Sequence, residues 1–240
     1  LSRTILVRNR LNLEDTVTAV ANESAKYLAE LKPMPQLVGV SWGRTLAKVA
    51  KALESGWAVD PMIVQLNGGV AALSSAQSVQ ETILSFAQKA DGKAKGLPCP
   101  AIVSKVSLAQ DLREDPGVAS VLDIGRQVDV AIFSLGALRF DSVLVESGCI
   151  TRQDVSYLRA NGGVGDILGR FINGAGDIVS PELESRTIGV DLKTLKGIKN
   201  SIGVAVGENK ASITRAALKG GFMTTLITDE KTAKEVLAER

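Results

Sequence analysis

Four short polar segments hold the residues best suited to chemistry in this 240-residue sequence. The first is Gly39-Val40-Ser41-Trp42-Gly43-Arg44-Thr45. An apolar run ends at Ser41, and Gly43 lets the backbone come close to whatever lies beyond it. If a helix begins near Arg44, its first free amides carry partial positive charge that suits a phosphate. Ser41 and Thr45 would add hydroxyl donors, and Arg44 a charge-assisted one. The same residues serve equally well as a plain tight turn in which Thr45 solvates the helix end. The spacing is neither the dinucleotide G-x-G-x-x-G nor a P-loop, which would close on Gly-Lys-Ser/Thr.

The second segment, Asn67-Gly68-Gly69, follows another apolar run. Its paired glycines could form a backbone nest for an anion or hydroxyl, or an unliganded β-turn. Gln77, on the helix expected next, is near enough in sequence to reach back. The third is Gly162-Gly163-Val164-Gly165-Asp166-Ile167-Leu168-Gly169-Arg170-Phe171. Beside flexible backbone, Asp166 could accept hydrogen bonds from sugar hydroxyls, or simply cap a helix. The fourth is Gly207-Glu208-Asn209-Lys210-Ala211. There Lys210 opens a helix, where the dipole disfavours a cation; a bound anion would relieve that placement, as would free solvation.

Composition narrows the chemistry. Histidine is absent, which excludes a Ser-His-Asp triad, a His-ligated zinc and a histidine general base. Any catalysis would fall to Asp, Glu, Lys, Cys or Tyr. Cys99 and Cys149 are far apart in sequence and lack metal-ligand spacing, so free thiols in a reducing cytoplasm are expected, with a disulfide left open. The net charge of +2, without a dense basic run, argues against strong nucleic-acid binding through this chain alone. No apolar stretch reaches the length of a membrane span. The opening Leu1-Ser2-Arg3-Thr4 has neither an initiating Met nor a signal-peptide pattern, and reads as the start of a fragment.

Apolar patterning supplies the elements that would position these turns. Asn12 is expected to cap a helix with Val17, Val20, Ala21, Leu28 and Leu31 on one face, ended by Pro33 and Pro35. Strands are expected at 37–41, 62–66, 101–103, 128–135, 186–190, 202–206 and 223–228. Helices are expected at 45–53, 75–89, 208–219 and 229–238, and 92–100 is read as a loop able to fold over a site. This alternation predicts an α/β fold, a mostly parallel Rossmann-like sheet with helices on both faces. Ligands of such sheets lie beyond the carboxyl ends of the strands. The four polar turns would therefore converge on one sheet edge.

In order and spacing, the segments resemble the effector-binding, or sugar-binding, domain of SorC/DeoR-like bacterial transcription regulators. The resemblance runs from Val38 to Thr45, through Val64-Gln65-Leu66-Asn67-Gly68-Gly69 and Val164-Gly165-Asp166-Ile167. It ends on Lys210-Ala211, Ala216 to Gly221 and Leu226-Ile227-Thr228-Asp229-Glu230. It implies a fold related to sugar-phosphate isomerases, glucosamine-phosphate deaminases and CoA-transferases, with catalysis replaced by sensing and no cofactor. It further implies a cytoplasmic homo-oligomer, dimer or tetramer, whose helix-turn-helix lies upstream of this 1–240 effector domain and reads operator DNA.

Carried over by position, Ser41, Trp42, Gly43, Arg44 and Thr45 match the phosphate-binding loop. Asn67, with Gly68 and Gly69, takes the ligand-facing position, Gln77 a second polar position, Gly165 and Asp166 the sugar-hydroxyl position, and Lys210 the lysine near the C-terminal strand. Arg139 lies near where some relatives place a cation for a second phosphate. Two departures stand out. The neutral Asn67 replaces a cation found in some members, which argues against a Schiff base there and against a bisphosphate. Val206 stands where a first glycine often precedes Gly207. Two other classes compete with this reading: an active sugar-phosphate isomerase or deaminase with Asp166 as base, and a dinucleotide-dependent oxidoreductase, against which the missing G-x-G-x-x-G counts.

Overall fold

The computed structural model describes residues 1–70 and 79–238. In chain order it begins with β1 (Arg3–Val7), α1 (Leu13–Glu30), β2 (Leu37–Val40), α2 (Arg44–Ala52), β3 (Met62–Gln65), α3 (Val79–Gln88) and β4 (Lys93–Lys95). There follow α4 (Val106–Glu114), α5 (Pro116–Gly125), β5 (Val130–Ala137), α6 (Val143–Glu146) and α7 (Arg152–Ala160). The chain then forms β6 (Gly163–Ile167), β7 (Arg170–Asn173), α8 (Pro181–Arg186), α9 (Leu192–Gly197) and β8 (Asn200–Ala205). A 3-10 turn at Glu208–Lys210 leads into α10 (Ala211–Lys219), β9 (Thr225–Asp229) and α11 (Glu230–Ala238).

Seven strands run parallel in the order β1-β9-β8-β5-β2-β3-β4. Side-chain alternation along each strand divides the apolar residues between two faces. On β5, Val130 and Ile132 face a core built with α1, α2 and α3, including Leu28, Leu46, Val49 and Phe86. Ala131, Phe133 and Leu135 face the opposite core, with Val121 and Leu122 of α5 and Ile213 and Ala217 of α10. The expected mostly parallel sheet with helices on both faces is therefore present. Among the described residues no helix is long and apolar enough to cross a membrane.

Beyond this sheet, β6 pairs antiparallel with the carboxyl end of β5 and with β7. The hairpin turns through Leu168 (φ +56°) and Gly169 (φ +82°), two positive-φ residues as a tight two-residue loop requires. Ile167, Leu168 and Ile172 pack into the core shared with α5 and α10, while Phe171 joins a third cluster with Leu138, Leu144, Val155 and Leu158.

Several expectations need correction. The stretches 101–103 and 186–190 are buried as expected but join through single bridges, Ile102 to Thr187 and Asn67 to Gly189, rather than as strands. Their apolar residues pack in cores while neighbouring carbonyls and amides are satisfied singly, as by Ile188 N donating to Ala101 O at 2.8 Å. The loop expected at 92–100 contains the edge strand β4, paired in parallel with β3. Asp166, one reading of which was a helix cap, stands within β6. The helix expected from residue 75 is described from Val79 onward.

Candidate functional site

The carboxyl ends of β8, β5, β2 and β3 lie side by side, and three of the four polar segments leave the sheet there. After β2 the chain turns at Gly43, whose φ of +138° is one that L side chains rarely adopt. A Cβ at Gly43 would also meet Ser134 Oγ at 3.0 Å. Gly43 is the N-cap of α2, no side chain among the described residues caps the helix, and its first turn carries no acid. The expected bare helix N-terminus is therefore formed, with exposed Arg44 and half-buried Thr45 on its first turn.

Ser41 is buried and lies 3.4 Å from both Ser134 N, which donates to its Oγ, and Trp42 O. Trp42 reaches sideways, its indole N–H donating to Gly68 O at 2.8 Å. That bond ties the turn after β2 to the turn after β3.

The second turn differs from its expectation. Gly68 N donates to Ile188 O at 2.9 Å, and Gly69 N donates to Cys99 O at 2.8 Å. Both amides are spent inside the protein, so the glycines are not an anion nest. Gly68 is required by packing instead: a Cβ there would collide with the Pro100 carbonyl. What the turn offers is Asn67, only 2% exposed, whose Oδ1 has no hydrogen-bond partner among the described residues. A buried amide oxygen without a donor costs free energy and calls for one. Buried Gln65 braces the turn, donating from Nε2 to Asn67 O at 2.7 Å and accepting from Leu97 N at 3.1 Å.

Asp166 and Lys210 meet over the end of β5. The Asp166 carboxyl lies directly over Gly136, where any Cβ would collide with it. It accepts from Gly169 N at 3.1 Å. Gly165, by contrast, is a packing residue, wedged against Gly136 O and Ile213. Asp166 keeps some exposure as a residue, yet its carboxyl is enclosed enough that burial pushes its pKa up, against the pull of Lys210 and Gly169 N–H. Lys210 Nζ donates to Leu135 O at 2.8 Å. Burial pushes the Lys210 pKa down; Asp166 opposes this, while Arg44 and Arg139 add to it by repulsion. Among the described residues no ion pair joins Asp166 to Lys210.

Arg139 is exposed and forms a two-bond pair with Asp141, Nε to Oδ1 and Nη2 to Oδ2, each 2.7 Å. The Asp141 carboxyl is held at about 2, chiefly by that bond, with Arg44 a lesser contributor. Three cations, Arg44, Arg139 and Lys210, are thus close enough to be felt at one place. Gln77 lies outside the described residues.

Sequence reasoning missed the contribution of β5 itself. Ser134, the Leu135 carbonyl and Gly136 form the floor on which Ser41, Lys210 and Asp166 meet. Gly136 inside an apolar strand run was the available signal, since strand glycines mark close approach of another group. Two cavities open on the protein, one of them beside this set. One of about 410 Å³ begins at Gly69 and Val70 and runs to Cys99, Ser147 and Cys149. A larger one, about 810 Å³, opens at the opposite edge among Pro33–Gln36, Arg126–Val130 and residues 191–200. It lies away from the convergent polar groups.

A parallel α/β sheet with unpaired polar groups gathered at its carboxyl edge is the architecture of a small-ligand-binding domain. The model of the family described as "Putative sugar-binding domain" matches residues 1–238, and this chain belongs to that family. The Deoxyribonucleoside regulator of Bacillus subtilis (strain 168) is 30% identical over 213 residues, covering 89% of this chain and 68% of its own. A DeoR family transcriptional regulator from Listeria monocytogenes superposes with a TM-score of 0.86 at 26% identity, covering 97% of this chain and 92% of that one. The full-length sorbitol operon regulator SorC from Klebsiella pneumoniae shares the fold, with a TM-score of 0.89 at 21% identity over 99% of this chain and 77% of that one. This chain spans about two thirds of the length of the curated relatives it matches. Those relatives are named as transcription regulators, not as isomerases, deaminases or oxidoreductases.

Proposed function

We propose that this chain is the effector-binding domain of a transcription regulator and that its effector is a sugar carrying one phosphate. The carrying observation is the pairing of two unmet needs at one sheet edge. The uncapped N-terminus of α2, with Arg44, asks for an anion. The buried Asn67 Oδ1 asks for a hydrogen-bond donor. A phosphate meets the first need and a sugar hydroxyl the second, and a phosphorylated sugar supplies both. Asp166 would accept from another hydroxyl, and Lys210 would face the ligand across the gap that keeps the two from pairing directly.

In this reading the domain works in the cytoplasm as part of a homo-oligomer whose upstream helix-turn-helix reads operator DNA. Effector binding biases subunit packing, with a coupling of about 1–3 kcal/mol sufficient for regulation. The sequence similarity to named regulators supports this reading, as does the absence of histidine, which leaves Asp166 few partners for acid–base work. A thermal-shift screen with a panel of sugar phosphates, followed by turnover assays on the hits, tests it. Stabilisation without product is expected. Steady turnover of a stabilising sugar phosphate would replace the sensor reading with an enzymatic one.

A further inference from the structure

Asp229 ends β9 beside the site, touches none of the groups offered to the effector, and is only 1% exposed. Its carboxylate is nevertheless the most heavily bonded in the described structure. It accepts from Gly207 N at 3.0 Å, Asn9 Nδ2 at 2.8 Å, Thr232 N at 3.1 Å and Thr232 Oγ1 at 2.5 Å. Burial alone would raise its pKa, but the bonds from Thr232, Gly207 and Asn9 outweigh it and hold the carboxyl ionised, below its ordinary value of 3.8.

The partners belong to three separate pieces of chain. Gly207, at φ +101°, starts the turn that carries Lys210, and Gly207 O accepts from Lys210 N at 2.9 Å. Thr232 belongs to the first turn of α11. Asn9 belongs to the connection between β1 and α1, and its Oδ1 accepts from Lys231 N at 3.0 Å. One side chain at position 9 thus bonds both to Asp229 and to the helix Asp229 caps. Leu13 of α1 closes the arrangement, its Cδ1 lying 3.5 Å from where a Gly207 Cβ would be.

We propose that Asp229 is the positioning residue that couples the Lys210 turn to the β1–α1 connection. A displacement of Lys210 is passed through Gly207 N–H to the carboxylate, and from there to Asn9. The path runs from the sheet edge that faces the effector to the surface beside the edge strand β1, where Leu6, Leu11 and Leu13 are exposed. The coupling is geometric: Gly207 N–H bonds Oδ1 and Asn9 Nδ2 bonds Oδ2 of one rigid carboxylate, so a rotation of the carboxyl that follows one donor draws the other oxygen away from its partner. The proposal rests on reading Lys210 as an effector-facing residue for its biological sense. The coupling itself is a property of the unliganded chain.

The test therefore uses no ligand. Amide hydrogen exchange is followed in the wild type, Lys210→Met, Asn9→Ala and Asp229→Asn. Lys210→Met is expected to speed exchange at the Lys231 amide, and Asn9→Ala at the Gly207 and Lys210 amides, each by about tenfold, with Val40 in β2 unchanged. In Asp229→Asn the same amides exchange fast, and adding Lys210→Met changes the Lys231 amide no further. An unchanged Lys231 amide in Lys210→Met overturns the proposal, as does persistence of the effect in the Asp229→Asn background. If Asp229→Asn does not fold, the Lys210→Met and Asn9→Ala arms decide alone. A general loss of stability would raise exchange at Val40 too, and that result would also count against a specific path. Because no effector enters, this test can fail while phosphate binding at Arg44 holds, and the reverse.

Discussion

The turns after β2 and β3 look alike in sequence and do different work. Each follows a buried strand, and each has glycine within three residues of the strand end. After β2, Gly43 provides an unusual φ and leaves the first amides of α2 open. After β3, Gly68 makes room for the Pro100 carbonyl, and the amides of Gly68 and Gly69 are bonded internally. The first turn leaves backbone amides open; the second bonds its own amides and leaves Asn67 Oδ1 without a partner among the described residues. A glycine in a strand-to-helix turn marks a site only when its amides end without an internal acceptor, and sequence does not reveal that.

The largest effect that sharpens this contrast belongs to Lys210, a charged donor over the same sheet edge. Lys210→Met should weaken binding of a phosphorylated sugar by about a hundredfold, the scale of losing a hydrogen bond from a charged group. Isothermal titration measures it; a loss below threefold would remove Lys210 from the site. Gly68→Ala should cost about 1–3 kcal/mol of stability through the clash with Pro100, read by denaturant unfolding, while the folded fraction binds as before. If Gly68→Ala instead keeps full stability and loses binding, the second turn is a ligand cradle after all.

A subtler pair contrasts two aspartates by pH. Asp166 has its folded pKa raised, so its contribution to stability is present below the ordinary value of 3.8 and lost as pH rises through the folded value. Asp166→Asn should therefore raise the melting temperature at pH 7 while weakening the effector. Asp229 has its folded pKa lowered, so its contribution is present above 3.8 and lost as pH falls through the folded value. Asp229→Asn should flatten the acid limb of the stability profile and lower stability at pH 7. Opposite signs for the two variants at pH 7 are expected; equal signs would contradict the burial and bonding described. The smallest effect concerns the thiols. Burial pushes Cys99 up to about 11, so at pH 8 one fast-reacting equivalent, at Cys149, is expected with a disulfide reagent. Two fast equivalents would place Cys99 at the surface.

Much of the fold was legible because local signals agreed with the tertiary outcome. Asn12 caps α1 by accepting from Asp15 N at 2.8 Å, as its position before two acids suggests. The strands at 37–41 and 62–66 are short apolar runs ended by polar turns, and they form as read. The hairpin of β6 and β7 was not legible, since five glycines between 162 and 174 mask a period-2 pattern and its partner β5 is distant in sequence. The helices α5, α7 and α8 were not read, although each carries a cap signal, Asp115-Pro116, the Thr151–Asp154 box and Ser180-Pro181, and α5 also has Val118, Val121 and Leu122 at helical spacing. Of the candidate residues, Ser41 to Thr45 and Lys210 stand on strand-to-helix turns as the pattern suggests, whereas Asp166 stands within β6. Gly136 and Asp229 were not legible, because their importance lies in contacts with residues that sequence order keeps far away.

Calorimetric titration of wild type and Arg44→Ala with a pentose phosphate and the same free pentose decides whether the open amides of α2 with Arg44 grip a phosphate. Arg44→Ala is expected to lower affinity for the phosphorylated sugar by about tenfold and to leave that for the free sugar unchanged. Equal loss for both sugars, or none for either, would contradict such a grip.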